Sequence, residues 1–357
     1  MQGQLGKERL EFKVYLLYNT GKYRREVLPM TIDFVIPWVQ GNDPVWLEKM
    51  NQYSPHPVDR EESRFRDWDL LKFWFRAVET YAPWVNRIYF VSDGQIPQWL
   101  NTAHPKLCIT DHRDYIPQEY LPTFSSHTIE LNFHRLEGLS EQFVYFNDDM
   151  FLNAPVTPED FFVNCKPRDC AVLDQFFPVG DRDAYIHTQC NVMAFLNNHF
   201  SKKAVLRDHS ALWFSPVYGK FLLKNCYNTP SALFSNFKNF HIASSMLKST
   251  YESLWSLEPE LLDHTCRNKF RSPEDVNQYI FSYYNLCAGN FVPRSSSFGK
   301  CYSLGVNDSA IIRDIAEEKH RIICINDHPD ITDVEAMQQK IYNVFLEKFP
   351  SKSQFEL

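Results

Sequence analysis

Residues 121–151, LPTFSSHTIELNFHRLEGLSEQFVYFNDDMF, join a segment of helical pattern to a short apolar segment that ends in paired carboxylates. Residues 143–146 are apolar and β-prone, a composition typical of a buried strand. Asn147, Asp148 and Asp149 follow at its carboxyl end. Ligands of open α/β sheets bind beyond the carboxyl ends of the strands, so these acids predict a cation and phosphate site. The alternative for this segment alone is a polar turn, since Asn and Asp are common turn formers.

The helical pattern before that strand has two different faces. At about 100° per residue, apolar residues share one face, whereas His127, Glu130 and His134 lie together on the other. Ser125 or Ser126 is a candidate N-cap. The polar face either is solvated or carries chemistry, and its lack of lysine favours chemistry.

Apolar strand candidates alternate with helical segments, and this alternation predicts an open α/β sheet of parallel strands. The candidates begin near residues 31, 86, 107 and 143 and are expected to lie side by side. Their carboxyl ends carry Asp43, Asp93, Asp111 and Asp149. For the first of these acids the alternative is a helix N-cap, because a proline follows it directly and can open a helix.

Further helices and one more strand follow from the apolar periodicity. Residues 64–81 predict a core helix, and Arg66 at its start either reaches a ligand or pairs with a neighbouring acid. Ser272 and Pro273 indicate a helix start directly after Arg271, where backbone N–H groups favour anions. The other predicted elements are helices at 96–100, 189–200, 210–224, 244–256, 273–286 and 331–349, and a strand at 321–325.

Composition indicates a globular protein of 357 residues, with 44% hydrophobic residues and a formal net charge of −7. This charge argues against a general nucleic-acid binder. No apolar run reaches the roughly 18 residues of a membrane span, and the first residues lack a secretory signal, so a cytoplasmic protein is expected. The nine scattered cysteines show no zinc spacing and indicate reduced thiols.

One composite catalytic domain is expected after an N-terminal extension at residues 1–30. The domain covers residues 31–357. Its predicted parts are a nucleotide-sugar and metal core at 31–165, a largely helical acceptor side at 166–290, and a strand and helix at 291–357 that return to the core.

Several blocks of the chain resemble the Stealth family. They are WVQGNDPVW at 38–46, APWVNRIYFVSDGQIPQWLN at 82–101, the segment 121–151, and INDHPD at 325–330, with a sparser match at 241–284. The family comprises bacterial capsular-polysaccharide sugar-1-phosphate transferases and is related to the animal lysosomal-enzyme GlcNAc-1-phosphotransferase. The resemblance implies a glycosyltransferase-A-like fold, an open, mainly parallel sheet with helices on both faces and a helical C-terminal half.

The resemblance also implies the site. Asp149, Asp43 and Asp148 are the expected ligands of Mg²⁺ or Mn²⁺. The expected catalytic residues are His241, Glu130, Arg271 and His134. Expected substrate contacts are Arg66, Asp93, Gln95, Arg135, Lys248, Asn326 and Asp327. His241 and then Glu130 are the candidates for the base, while the alternative for His241 is a buried structural histidine.

The implied reaction transfers a sugar 1-phosphate from a UDP-sugar to a hydroxyl of an oligo- or polysaccharide and releases UMP. Two alternatives stay open: a metal-dependent glycosyltransferase that releases UDP, and a nucleotide-sugar binding module without catalysis. The expected location is the cytoplasm, and a peripheral association with a capsule-assembly complex at the inner face of the membrane is compatible with it. No nucleic-acid partner is expected.

Overall fold

The computed structural model of the protein describes residues 31–54, 66–177, 184–328 and 331–357, so the expected extension at 1–30 lies outside the described residues. The strands are β1 (Ile32–Pro37), β2 (Ile88–Ser92), β3 (Leu107–Asp111), β4 (Gln142–Tyr145), β5 (Met150–Leu152), β6 (Phe162–Val163), β7 (Lys166–Asp169), β8 (Leu173–Asp174), β9 (Asn236–Phe237), β10 (Ser244–Leu247), β11 (Val292–Pro293), β12 (Gly299–Ser303) and β13 (Ile322–Asn326). The α-helices are α1 (Pro44–Tyr53), α2 (Leu71–Tyr81), α3 (His112–Tyr115), α4 (Ser126–Leu131), α5 (Ala184–His199), α6 (Lys202–Asp208), α7 (Ser210–Trp213), α8 (Leu222–Asn228), α9 (Lys248–Leu257), α10 (Pro259–Arg267), α11 (Tyr279–Ala288), α12 (Asp308–Glu317) and α13 (Val334–Lys348).

Four parallel strands form the main sheet in the order β4, β1, β2, β3, and β10 adds an antiparallel edge beside β4. Residues 32–36 of β1 are buried, because an apolar strand in the middle of a parallel sheet is covered on both faces. The predicted open, mainly parallel sheet is therefore confirmed, as is the side-by-side placement of the four predicted strands.

Helices cover both faces of this sheet. On one face the Trp74 ring of α2 makes edge contacts with Phe34 and Phe146, at centroid distances of 6.5 and 5.5 Å. On the other face Val35 joins the apolar core that includes Tyr251 of α9. Successive residues of a strand point to opposite faces of the sheet, so neighbouring residues of β1 pack against different helical layers. The predicted core helix is confirmed as α2, but it begins at Leu71, and residues 66–70 before it are not helical.

A second, three-stranded sheet of β12, β13 and β5 fixes the acidic loop. The chain passes from β4 to β5 through residues 146–149, and β5 pairs antiparallel with β13, where Met150 lies opposite Cys324. The Ile325 N–H donates to the Asp149 carbonyl oxygen at 2.8 Å. The predicted last strand is confirmed as β13, and it holds the acidic loop from the second sheet.

The edge strand β10 corrects the helix predicted over 244–256. Ser244–Leu247 is a strand in which Met246 lies opposite Phe143, and the helix begins at Lys248. The reason is strand pairing, because Ser245, Met246 and Leu247 are buried in the sheet beside β4 before the chain turns into the helix.

Two other helix predictions are wrong. Residues 96–100 form turns, and the last of them makes a β-bridge with the C-terminal segment. The helix predicted to start at Pro273 starts at Tyr279. The Asp275 carboxylate accepts a hydrogen bond from a backbone N–H and pairs with His127 at 2.8 Å, so this acid anchors a turn.

Residues 31–357 form one compact unit, and its division near 165 and 290 stays a prediction. Helices α5 and α11 share the core of the main sheet through Leu196 and Ile280. Among the described residues, no helix is both long enough and apolar enough to cross a bilayer.

The C-terminal segment is held by a buried ion pair. Arg76 of α2 donates to both carboxylate oxygens of Glu356 at 2.7 Å and also to the Phe349 carbonyl oxygen. Burial opposes the charge of Glu356, but the hydrogen bonds from Arg76 and Ser353 and the charge of Arg76 together outweigh it, so the pKa of Glu356 is lowered. We expect Glu356→Gln to lower the free energy of unfolding by about 3 to 5 kcal/mol at pH 7, because it leaves a buried guanidinium unpaired.

The same pair predicts a pH dependence. A carboxylate with a lowered pKa stabilises the fold above its unfolded pKa of about 4.3, and this stabilisation is lost as the pH falls through the folded pKa. Urea unfolding from pH 7 to pH 3 should therefore show the gap between wild type and Glu356→Gln closing in acid. Glu347→Gln, at an exposed position, is the control. A gap that stays constant over this range would contradict the prediction.

Candidate active site

The acidic loop is a turn whose side chains line a cleft. Asp148 and Asp149 occupy the turn itself, and the Met150 N–H closes it on the Asn147 carbonyl oxygen at 3.1 Å. The Tyr145 hydroxyl of β4 contacts the Asn147 side chain. The turn and the ligand-binding interpretations of this segment are therefore compatible.

A cleft of about 310 Å³ opens beside this loop, and we call it the reaction cleft. Its lining combines acids, cations and indole rings from distant parts of the chain. The lining includes Trp38, Arg66, Trp68, Asp148, Asp149, His241, Arg271, Asn326 and Asp327. The carboxyl ends of β1 and β4 and the end of β13 bring these residues together.

Asp149 is a half-buried acid of the reaction cleft. Its Oδ2 accepts from the Cys324 thiol at 3.1 Å and lies 3.8 Å from His241 Nε2. Its Oδ1 is buried and has no hydrogen-bond partner among the described residues. Burial opposes its charge, but His241 and Cys324 outweigh this effect and lower the pKa of Asp149. A buried carboxylate oxygen without a partner is a site prepared for a ligand.

Two further acids in the reaction cleft surround this position. The cleft walls desolvate Asp148, and the charges of Asp149 and Asp67 add to this effect, so the pKa of Asp148 is raised to about 7 although the residue is exposed. Asp327 pairs with Arg66 through Oδ1 at 3.1 Å, and its Oδ2 is buried without a partner in the described chain. Burial raises the pKa of Asp327. These carboxylates repel one another, which favours binding of a cation.

His241 is positioned by the backbone that leads into β10. Its φ of +46° is in the left-handed region, which histidine adopts more readily than most residues. The Asn239 side chain accepts from the His241 N–H at 2.7 Å, and Nδ1 lies 3.1 Å from the Tyr279 hydroxyl. Burial lowers the pKa of His241, but Asp149 outweighs it and the pKa is raised. The ring is thus fixed in the cleft with a proton-binding nitrogen beside an acid.

His241, Asp149 and Cys324 each place one potential metal-binding atom within 4.8 Å of the other two. The thiol hydrogen-bonds to the carboxylate. Oxygen ligands suit Mg²⁺ and Mn²⁺, whereas thiol and imidazole suit softer metals. The oxygens without partners in this cleft belong to carboxylates, so the donor set fits a hard divalent cation.

A second cleft of about 190 Å³ adjoins the first, and we call it the aromatic cleft. Its lining includes Trp46, Phe124 and Phe270, and the two phenylalanine rings stack at a centroid distance of 5.3 Å. Arg271 lines both clefts, and its guanidinium donates to the Ser126 hydroxyl at 2.7 Å. A planar apolar slot next to a cationic side chain suits a ring attached to a phosphate.

Glu130 and Asp93 also lie at the aromatic cleft. The Tyr145 hydroxyl donates to Glu130 Oε1 at 2.7 Å, whereas Oε2 is buried without a partner in the described ranges. Burial raises the pKa of Glu130. Asp93 pairs with Lys49 at 2.6 Å.

Asp43 and Gln95 do not line either cleft. Asp43 is the N-cap of α1, where Oδ1 accepts from the Val45 N–H at 3.0 Å. The Gln95 amide donates to Asp43 Oδ2 at 2.9 Å and also bonds to the Gln40 backbone. Both oxygens of Asp43 are therefore occupied within the chain, as expected of the helix-cap alternative, and we leave it out of the proposed cation site.

His134, Arg135 and Lys248 lie away from the clefts, and for the first two the reason is that helix α4 ends at Leu131. A 3₁₀ turn then carries His134 and Arg135 toward α9, where both contact the Trp255 ring. Burial lowers the pKa of His134 to about 3. Lys248 is the first residue of α9, and its backbone N–H bonds to the Glu141 carbonyl oxygen. The polar residues expected on one face of a continuous helix therefore do not lie together in the structure.

Sequence reasoning missed several residues of the site. Cys324 bonds to Asp149, but no spacing rule indicates a cysteine in a strand as a partner of an acid. Tyr279 holds the His241 ring from a helix that starts 38 residues later in the chain. Trp38 and Trp68 line the reaction cleft, and only their position beside predicted site residues signalled this.

Comparison with known protein families gives two matches. The family model described as Stealth protein CR1, conserved region 1, matches residues 30–56. The model described as Stealth protein CR2, conserved region 2, matches residues 64–169. These regions contain β1 to β5 and the acidic loop.

Curated relatives are similar along almost their whole length. A capsular polysaccharide phosphotransferase WcwK of Streptococcus pneumoniae is 42% identical over 328 residues, which cover 91% of this chain and 98% of the relative. The exopolysaccharide phosphotransferase cps2G of Lactiplantibacillus plantarum is 39% identical, covering 96% and 99%. The receptor polysaccharide phosphotransferase WefC of Streptococcus gordonii is 38% identical, covering 91% and 99%.

Among solved structures, the galactosyltransferase LgtC in complex with donor and acceptor sugar analogues has a TM-score of 0.37 and 9% identity, covering 90% of this chain and 98% of that chain. The bifunctional glycosyltransferase WbbM has a TM-score of 0.39 and 12% identity, covering 91% and 50%. At these values no residue role is transferred to this chain.

Proposed function

Because this chain belongs to the Stealth family, we propose that it transfers a sugar 1-phosphate from a UDP-sugar to a hydroxyl of a surface glycan and releases UMP. The relatives named above as polysaccharide phosphotransferases match it along nearly their whole length. The observation that carries the proposal in this chain is the reaction cleft, which Asp149, His241 and Arg271 line together and in which one Asp149 oxygen has no partner among the described residues. Phosphoryl transfer needs a carboxylate that can hold a metal ion, a group that accepts a proton and a positive side chain near the phosphate, and this cleft offers all three.

Asp149 and Asp148 would hold a divalent cation, Mg²⁺ or Mn²⁺. The fit rests on Asp149 Oδ1, which is buried without a partner in the described chain, and on the carboxylate donors around it. When bound, such a cation supplies positive charge that stabilises phosphate oxygens. Asp327 pairs with Arg66 in the same cleft and thereby fixes the position of its guanidinium.

Arg271 binds the donor diphosphate from its position between the two clefts. The aromatic cleft then holds the nucleoside, because its stacked phenylalanine rings offer a flat apolar surface. This placement leaves the sugar-linked phosphorus in the reaction cleft. The nucleoside of the donor thus lies in the aromatic cleft, and its sugar-linked phosphate lies in the reaction cleft, with Arg271 between them.

The proposed reaction exchanges one P–O bond for another. The acceptor hydroxyl oxygen bonds to the sugar-linked phosphorus, and the bond from that phosphorus to the bridging oxygen of UMP breaks. The electron pair leaves with UMP, and the hydroxyl proton passes to His241 Nε2, which lies in the reaction cleft 3.8 Å from Asp149 Oδ2. Asp149 stabilises the imidazolium that forms. Glu130 is the second candidate base, since its Oε2 is unpartnered among the described residues at the aromatic cleft.

The setting follows from the substrates. UDP-sugars are made inside the cell, so we place the reaction in the cytoplasm, with peripheral contact to a capsule-assembly complex at the membrane. The released nucleotide tests the reaction type. UMP in equal amount to the extended glycan is expected, whereas UDP would mean that the glycosidic bond was cut and that the chain is a glycosyltransferase.

Removal of Arg271 should slow transfer strongly. We expect Arg271→Ala to lower kcat/KM by roughly 10²- to 10³-fold, as loss of a donor to developing negative charge does in other enzymes. The Kd for UDP should rise as well, because the same guanidinium contacts the donor phosphates. Arg267→Ala is the matched control, since Arg267 is exposed, pairs with Asp263 at 2.7 Å and lines neither cleft. Equal kinetics for the two variants would contradict the role of Arg271.

A further inference from the structure

A third cavity, about 320 Å³ in volume, lies outside the two clefts already described. We call it the lysine groove. It combines cationic side chains, aromatic rings and hydroxyl groups from separate segments. The lining includes Lys220, Phe221, Lys238, Phe240, Ser296 and Lys300.

The charge of the lysine groove is unbalanced. Lys220, Lys238 and Lys300 form no ion pair with a carboxylate of the described chain, and no acidic residue lines the groove. By contrast, neighbouring Lys224 is neutralised by Asp174 at 2.6 Å. In a chain of formal net charge −7, a groove with three such lysines is a local positive site.

Aromatic rings give the groove an apolar wall. The rings of Phe221 and Phe240 meet edge to face at a centroid distance of 5.3 Å. The Lys238 ammonium lies 5.6 and 5.4 Å from these two centroids, and Lys220 lies 5.5 Å from Phe221. Sugar rings pack their C–H faces on aromatic surfaces, and lysine binds phosphate as a point charge. The wall and the cations together match a sugar that carries phosphate.

The lysine groove lies close to the proposed base. Lys238, Asn239 and Phe240 line both the groove and a small cavity of about 30 Å³, and His241 lines that cavity as well as the reaction cleft. The Asn239 side chain accepts from the His241 N–H at 2.7 Å. Cys301 also lines the groove, and its Sγ lies 3.6 Å from the Sγ of Cys324, the hydrogen-bond partner of Asp149, so the groove and the reaction cleft are close neighbours.

We propose that the lysine groove is the acceptor site and that it selects saccharides bearing a phosphate group. This inference rests on the proposed function, because a glycan extended by sugar-phosphate transfer carries phosphodiesters from earlier cycles. The phosphate has two possible sources, a diester within the glycan or a monoester at its end. Lysine ammonium groups bind both, and the monoester has the larger charge.

The test uses a double variant, Lys220→Gln with Lys300→Gln, in the full chain. Lys238 is kept because its ammonium packs on two rings and its loss would disturb the groove. Lys319→Gln is the control, since Lys319 is exposed and lines none of the described cavities. The probes are lactose, lactose 1-phosphate and the methyl diester of lactose 1-phosphate, and calorimetry measures their Kd values.

We expect wild type and the control to bind at least one phosphorylated probe roughly tenfold more tightly than lactose, with the preference weakened by salt. The double variant should lose most of this preference. Tighter binding of the monoester assigns the groove to a terminal phosphate, and equal or tighter binding of the diester assigns it to phosphate within the glycan. Absence of phosphate preference in wild type, or its persistence in the double variant, would overturn the proposal.

A donor measurement separates this inference from the proposed function. The Kd for UDP should be the same in wild type and in the double variant, because the donor lies in the other two clefts. Weaker UDP binding by the double variant would put the lysines in the donor site and overturn the acceptor proposal. Release of UDP by wild type during turnover would instead refute sugar-phosphate transfer and leave the lactose comparison unaffected.

Discussion

Asp149→Asn is expected to lower kcat by roughly 10³-fold or more, because several kcal/mol of charge stabilisation depend on this carboxylate. The substitution keeps the shape of the side chain, so the Cys324 thiol can still bond to it. It removes the negative charge that would hold a divalent cation beside the donor phosphates. Turnover assays over a range of Mg²⁺ and Mn²⁺ concentrations measure the effect, and thermal unfolding checks that the fold is retained.

Asp111→Asn is the matched control for this experiment. Asp111 also lies at the carboxyl end of a strand of the main sheet, but it pairs with Arg113 at 2.8 Å and lines neither cleft. We expect this variant to keep wild-type kcat. A normal rate for a folded Asp149→Asn variant, or full wild-type activity in excess chelator, would refute the cation site.

His241→Asn should lower kcat by roughly 10²- to 10⁴-fold, the usual contribution of a group that transfers a proton. The Kd values for UDP and for the acceptor should change little, because the imidazole acts on the hydroxyl in the transition state. Asparagine is chosen because it also tolerates the positive φ of +46° at this position. Single-turnover kinetics at saturating donor measure the chemical step directly.

His134→Gln separates the cleft histidine from a structural one. The His134 ring packs near Tyr251 and Trp255, at centroid distances of 5.8 and 5.9 Å. Its replacement should lower the free energy of unfolding while kcat stays near that of wild type. If His241→Asn turned over at the wild-type rate, the proton would go to another group, with Glu130 next to be tested.

The strand pattern and the acidic loop could be predicted from sequence because both are local. Apolar runs near residues 31, 86, 107 and 143 need cover on both faces, and a parallel sheet with helices provides it. Asp149 was expected at a strand end, and the structure places it in the reaction cleft. The residue types within each segment and the order of the segments along the chain are enough to predict the sheet and the acidic loop.

Features set by tertiary contacts could not be predicted in this way. His134 shares a helical face with Glu130 only while the helix continues, but α4 ends at Leu131 and the two side chains separate. Ser272 and Pro273 predicted a helix start, yet Asp275 anchors a turn there by pairing with His127. Contacts of this kind join residues that are far apart in the chain or separated by the end of a helix. The periodicity of the sequence does not predict such contacts.

A UDP-sugar with radioactive phosphorus at the position next to the sugar tests sugar-phosphate transfer most directly. The enzyme is incubated with Mg²⁺, a set of labelled UDP-hexoses and a glycan acceptor, and the label is then located by chromatography. Sugar-phosphate transfer predicts label in the glycan, held through a phosphodiester, with unlabelled UMP released in equal amount. Label recovered in UDP, with an unlabelled sugar added to the glycan, would contradict it.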